Sequence, residues 1–160
     1  MASTFCKEMI VEFSETDMAG IVHFSQFFRY AERTEHAFLR SLDLTVIEVD
    51  SDGSDDDGSE PKSNNRTGWP KVHASFDYLL PLRFEDLFTT TLGIERVGQS
   101  SIHYRFLIEK MDRICGRGKI VAAYAQVDRV TGRVAGAPLP DGFREKMHVL
   151  DTEGLARFLP

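Results

Sequence analysis

The sequence is short of most features that announce a function. Its two cysteines, Cys6 and Cys115, are far apart with no CxxC spacing, so neither a zinc cluster nor a disulfide framework is expected, and both read as reduced strand or core residues. The five histidines, His23, His36, His73, His103 and His148, show no HxxxH or comparable ligand spacing, which disfavours a metal enzyme. No apolar run approaches the roughly 20 residues of a spanning helix, so no membrane partner is expected. Positive charge is in deficit: 19 Lys and Arg stand against 25 Asp and Glu, for a net charge of -6. Nucleic acid calls for a positive surface and is not an expected partner. The opening MASTFCKEMIVEF mixes charges into its first dozen residues and lacks the apolar centre of a signal peptide, so a cytoplasmic location is expected.

What is present is an ordinary globular balance, 42% hydrophobic and 28% charged over 160 residues. That length favours a single domain, 1–160, able to bury a core without covalent staples. FCKEMIVEF, 5–13, is rich in β-favouring side chains and reads as a strand ending before a turn over 14–20. Phe24, Phe27, Phe28, Ala31, Phe38 and Leu42 then recur at helical spacing, with Arg29, Glu32, Arg33, His36 and Arg40 mostly on the other side. A buried helix over about 25–42 follows. DSDGSDDDGSEPKSNNRTG, about 50–68, has no aliphatic residue and reads as an acidic, flexible surface insertion. After Pro70 come VHASFDYLL, FTTTLGIERV, SIHYRFLIEKM and GKIVAAYAQVDRV, with turns expected at Gly98-Gln99-Ser100, Cys115 to Gly118 and Thr131-Gly132. Short breaks between runs of strand length predict antiparallel hairpins. With the first strand they give an α+β fold, an antiparallel sheet of about five strands with one long helix, and a core over about 5–147. The ending predicts a short terminal helix or an extended tail.

Several motifs fail on inspection. Asp50, Asp52 and Ser54 open like a calcium loop, but Asp55 stands where glycine is needed and Pro61 where the bidentate glutamate is needed. Gly116-Arg117-Gly118 is followed by a β-like run rather than a helix, so a hairpin turn explains it better than a dinucleotide site. Asp17 remains, in ETDMAGIVHFSQFFRYAER. From local pattern alone, Thr16 or Asp17 shaping the turn or capping the next helix is the commoner explanation.

The stretch FSETDMAGIVHFSQFFRYAER, 13–33, resembles the entry segment of the 4-hydroxybenzoyl-CoA thioesterase-like group of the hot dog fold. In that group an aspartate sits in a D-x-A/G-G-[VI]-V turn leading into a long central helix; the matching residues here are Asp17, Ala19, Gly20, Ile21 and Val22. VHASFDYLLPLRFEDLFTTTLGIERVGQSSIHYRFLIE and PLPDGFRE resemble the family's later strands and end. The resemblance covers about 5–147 apart from the insertion. Where many relatives carry Tyr-His after the paired valines this chain has His23-Phe24, and Gly98 and Gln99 stand where some members hold CoA phosphates with basic residues.

The resemblance implies an α+β hot dog domain, with the sheet wrapped around one central helix, and an acyl-CoA thioesterase. It implies Asp17 as general base or nucleophile, backbone amides around His23 to Gln26 polarising the thioester carbonyl, and no cofactor. It also implies a homodimer or homotetramer in which the sheets of two subunits join and the acyl group lies between them. Gly20, His23, Phe24, Ser25, His73, Ser75 and Ser101 are the substrate-binding candidates, with Asp77 considered beside them. The alternative is a hot dog module that holds an acyl-CoA or acyl carrier without hydrolysing it. A dehydratase ranks last, since neither His23 nor His36 sits in a D-x-N-x-x-H arrangement.

Overall fold

The first strand, β1 (Thr4–Ile10), alternates, with Cys6, Glu8 and Ile10 exposed and Phe5, Lys7 and Met9 turned inward. In the computed structural model, which describes residues 4–44, 46, 65–128 and 131–160, it leads through a single 3-10 turn at Phe13–Glu15 into helix α1 (Ser25–Ser41). After β2 (Asn65–Gly68), strands β3 (Lys71–Tyr78), β4 (Leu87–Val97), β5 (Ser101–Lys110) and β6 (Arg113–Ala123) complete the main sheet. Its order is β1-β4-β5-β6-β3, every neighbour antiparallel. The expected α+β class and five-stranded sheet are both found.

Helix α1 buries Phe27, Tyr30, Ala31, Thr34, Glu35 and Leu39, the spacing of one helical face. That face is rotated from the one its phenylalanines suggest, because Phe24 is 59% exposed while Tyr30 and Glu35 are inside. It meets Leu92 and Ile94 of β4, Tyr104 and Phe106 of β5 and Ile120 and Ala122 of β6. Such side chains each contribute about 1.5 to 3 kcal/mol on full burial. Because α1 touches β1, β4 and β3, it reaches both ends of the strand order.

Three local readings need correction. The Cys115 to Gly118 segment is the middle of β6, not a turn; the β5–β6 hairpin turns instead at Met111 and Asp112, with φ of 48° and 59°. Two positive-φ residues give the twist that a tight antiparallel hairpin needs. Gly116 and Gly118 are explained by packing: a Cβ on Gly118 would stand 2.3 Å from Phe76 Cζ, and one on Gly116 2.9 Å from Phe27 Cε1. Asn65–Gly68, assigned to the insertion, instead forms a strand paired with β7 (Ala125–Asp128); residues 50–64 lie outside the described residues. The long GKIVAAYAQVDRV run also breaks at Tyr124, where β7 leaves the main sheet for a three-stranded one, order β2-β7-β8, with β8 at Val134–Gly136. Trp69 stacks there on Tyr124 and Phe143 at 5.0 and 4.9 Å.

The chain's end also joins the core beyond residue 147. Two short helices, α2 (Asp141–Lys146) and α3 (Thr152–Ala156), bring Leu150 and Phe158 against Leu107 on the sheet face away from α1. On that same face Glu95 accepts from Arg105 Nε and Nη2 at 3.0 and 2.9 Å and lies 3.3 Å from Lys119 Nζ.

Two consequences are measurable. Gly118→Ala forces the Phe76 ring out of a seat against Phe27, Phe28 and Phe106, so the denaturation midpoint should fall by the equivalent of about 1 to 3 kcal/mol, as for overpacked cores; an unchanged midpoint would refute the packing role. The hydrogen bonds from Arg105 hold the Glu95 carboxyl below its ordinary value of 4.5. A depressed folded pKa gives stability that is complete above the unfolded value and lost as pH falls through the folded one. The stability gap between wild type and Glu95→Gln should therefore be widest near neutral pH and close below about pH 4, as read by urea denaturation across pH.

Candidate functional site

The segment before α1 is folded by its own backbone. Asp17 N donates to Ile21 O at 2.9 Å, Gly20 N to Asp17 O at 2.9 Å, and Val22 N to Leu82 O at 2.8 Å. Gly20 has φ of 69° with no neighbour within reach of a Cβ, so glycine is needed here for backbone conformation rather than for space. The Asp17 side chain takes part: Oδ1 accepts from Ala19 N at 2.8 Å. The turn-shaping role expected of a short polar residue is real. Capping is not, since α1 begins at Phe24 with helical φ and ψ and no side-chain cap.

That leaves Asp17 exposed, one oxygen fixed by the turn and Oδ2 without a partner among the described residues. Beside it the helix start is positive, with no acidic residue in its first turn. The amides expected to be open are mostly committed. His23 N donates to Glu15 O at 2.9 Å, Gln26 N to His23 O at 2.9 Å, and Ser25 N reaches His23 Nδ1 at 3.4 Å. Only the Phe24 amide of this group has no acceptor among the described residues. His23 Nδ1 lies 2.8 Å from Ser25 Oγ, and its ring is 4.3 Å from that of Phe24.

Gly20, His23, Phe24 and Ser25 thus lie in the same turn and helix start as Asp17. The other candidates do not join them within one chain. His73 and Ser75, 3.3 Å apart at Nε2 and Oγ, alternate along β3 with Phe76, whose ring packs on Phe27 and Phe28 of α1. They and Asp77 therefore point from the opposite face of the sheet. Ser101 pairs with Ala123, seven residues along β5 from Ile108, the partner of Gly116. At about 3.4 Å per residue that is roughly 24 Å from the helix start.

Sequence reading missed three residues here. Glu15 is 4% exposed; its Oε2 accepts from Tyr30 Oη at 2.8 Å and Glu12 N at 2.9 Å, and its Oε1 from Arg33 Nη1 at 3.0 Å. Burial, and next the Glu15 carboxylate, push the Tyr30 hydroxyl far above the normal tyrosine range, so it stays a donor. The helical spacing of Tyr30 and Arg33, one turn apart, was the available signal. The third, Tyr78, lies edge-on to Phe27 at 4.9 Å and to Phe24 at 6.5 Å, and forms an exposed apolar rim with Leu79. A cavity of about 400 Å³ lies elsewhere, near the C-terminal end of α1, between Phe5, Phe38, Leu42, Leu92 and Ile94. Among the described residues no three His, Cys, Asp or Glu side chains are grouped to hold a metal, and no helix is long and apolar enough to cross a membrane.

The chain resembles known proteins in sequence and in fold. A 1,4-dihydroxy-2-naphthoyl-CoA hydrolase of Synechococcus sp. (strain WH7803) is 31% identical over 126 residues, 74% of this chain and 76% of its own. One from Prochlorococcus marinus (strain NATL2A) is 29% identical over 105 residues, and the match spans 64% of that relative's length. Among solved structures, a 1,4-dihydroxy-2-naphthoyl-CoA thioesterase from Synechocystis superposes with a TM-score of 0.72 at 23% identity, covering 90% of this chain and 95% of its own. A gentisyl-coenzyme A thioesterase gives 0.68 at 23% identity, over 87% and 98%. These likenesses establish the hot dog fold. The matching family model runs over residues 11–147, from the end of β1 through the Asp17 turn to the end of α2, and the chain belongs to the thioesterase-like superfamily.

Proposed function

We propose that the protein hydrolyses an aromatic acyl-CoA thioester, with the Asp17 carboxylate as general base or nucleophile. The observation that carries this reading is the division of labour at Asp17, where Oδ1 is held by Ala19 N and Oδ2 has no partner among the described residues, in the turn that leads directly to the N-terminus of α1 and its Phe24 amide. Thioester hydrolysis asks for little more. A thiol with a pKa near 8.5 leaves readily as thiolate, so no general acid is obligatory. What is required is a group that activates water or attacks the acyl carbon, and a donor for the developing oxyanion. The Phe24 N-H, at the positive end of α1, is the donor; one such group is typically worth about 3 to 4 kcal/mol in the transition state. The aromatic class follows the naphthoyl-CoA and gentisyl-CoA names of the relatives and the exposed rings of Phe24 and Tyr78 beside the turn.

Within one chain this site is open on one side. Strand β3 is one of the two edges of the sheet among the described residues, with Val72 64% exposed and Tyr78 and Leu79 half-exposed at its end. A bare apolar edge invites pairing with another strand. A second copy joined along β3 would bury these residues and close the acyl site, which is the reading adopted for the oligomer.

Two experiments test this. Thiol release from aromatic, short-chain and long-chain acyl-CoAs should be seen for wild type, fastest with the aromatic esters, and should fall at least 1,000-fold in Asp17→Asn, roughly the scale for losing an essential base or nucleophile. Equal rates in the two proteins would remove Asp17 from the mechanism, and ligand binding without release by wild type would favour a binding module. In light scattering, Val72→Glu should shift the protein towards monomer and lower turnover with it; a dimer undisturbed by this charge would rule out pairing along β3.

A further inference from the structure

We infer that Glu15 is the positioning residue for Asp17, a buried anion that fixes the catalytic turn to the helix whose N-terminus supplies the oxyanion donor. The inference rests on the hydrolytic reading of Asp17. Its basis is that one residue holds both ends of the turn. The Glu15 carboxylate takes the Glu12 amide at the entrance, and the Glu15 carbonyl takes the His23 amide at the exit. The same carboxylate takes Tyr30 Oη and Arg33 Nη1 from successive turns of α1. Three donors, one of them a guanidinium, offset the cost of burying the charge.

Little else would hold the turn. Phe13 and Met18 are exposed, as are Ser14, Asp17, Ala19 and Gly20. The remaining bonds are local to the turn or run to Leu82. Val22 packs the exit of the turn against Phe27 and Leu82, but no apolar side chain from Asp17 to Gly20 is buried, so the carboxylate's polar contacts set the distance from Asp17 to the start of α1. Catalysis depends on that distance steeply, since a displacement of about 1 Å can cost on the order of 100-fold. Glu15→Gln keeps the shape but turns an NH₂ either to the Arg33 guanidinium or to the Glu12 amide, neither of which can accept, so one of the three contacts must open.

The test compares Glu15→Gln, Tyr30→Phe, their double variant and Asp17→Asn with wild type, on the acyl-CoA that wild type hydrolyses fastest, below all thermal midpoints and with folded protein quantified by circular dichroism. In Glu15→Gln, kcat should fall about 10- to 100-fold with KM changed only a few-fold, as expected for a misplaced reacting group. Tyr30→Phe, which keeps the charge, should lose several-fold, and the double variant should be no worse than Glu15→Gln, because Tyr30 acts through it. Amide exchange at Ala19, Gly20 and His23 should quicken at least tenfold in Glu15→Gln while exchange in β4 and β5 stays unchanged.

A purely structural Glu15 would instead lower the midpoint and the folded fraction and leave the kcat of the folded protein alone. That result, or exchange at the turn equal to wild type, overturns the proposal. An inactive Asp17→Asn beside a Glu15→Gln with wild-type kcat removes only the positioning role. A fully active Asp17→Asn removes the hydrolytic reading beneath it. Should Glu15→Gln fail to fold, Tyr30→Phe carries the same kinetic and exchange comparison.

Discussion

The structure depends on a fit between aromatic rings and missing side chains. Phe76 occupies the space a Cβ on Gly118 would fill, and Phe27 the space over Gly116. These two glycines, alternate residues on the inner face of β6, form a shallow trough that seats α1. Because protein interiors are packed to near-crystalline density, a ring in such a trough has little freedom to shift. The seating fixes the N-terminal half of α1, through Phe27 and Tyr30, and so fixes the frame in which the turn before it is built. The same device recurs on the far face, where Gly93 makes way for Leu150 and Phe158. The sheet is thus covered on both sides by elements that would not fit a uniformly bulky strand.

Upon that frame the exit of the Asp17 turn is packed through the buried Val22, while its tip is held by polar contacts. This is expensive, since Glu15 is buried as a charge, yet it leaves Asp17 itself in solvent. Apolar anchoring would have placed side chains where substrate and water must come. A hydrogen-bonded anchor sets direction as well as position, and its donors come from the backbone and from two residues of a helix already fixed by packing.

Much of this was legible in the sequence. The strand runs, the helix and the D-x-A-G-I-V turn were visible because alternation, helical period and a glycine beside a short polar residue are local signals. The misreadings share one cause: they are decided by distant partners. Gly116 and Gly118 look like a turn until Phe27 and Phe76 are seen to fill the space over them. Asn65–Gly68 looks like insertion because its partner strand lies some sixty residues on, at Ala125–Asp128. Glu15 looks like one of many surface carboxylates, and only the return of Tyr30 and Arg33 along the helix makes it a buried one. His73 and Ser75, candidates for a pocket shared between two subunits, are turned by strand alternation against Phe76 to the sheet face away from α1.

The helix itself decides between two places where an acyl-CoA could react. The 400 Å³ cavity is within the usual range for small-molecule pockets, about 300 to 1,000 Å³, and volume alone would favour it. It lies, however, at the C-terminal end of α1, where the helix is negative, with Asp43 and Glu145 also on its lining. Lys146, the only lysine or arginine lining it among the described residues, donates to Leu42 O at 2.6 Å. A polyphosphate carrier, a carboxylate product and a developing oxyanion would all be repelled there. At the other end of the same helix the dipole has the opposite sign, the first turn carries no acid, and the Phe24 amide has no acceptor among the described residues. Each helix end contributes only about 0.3 to 1 kcal/mol at an exposed site, but between the two ends the terms differ in sign. The N-terminal end of α1 is therefore the end whose electrostatics suit the thioester hydrolysis proposed above.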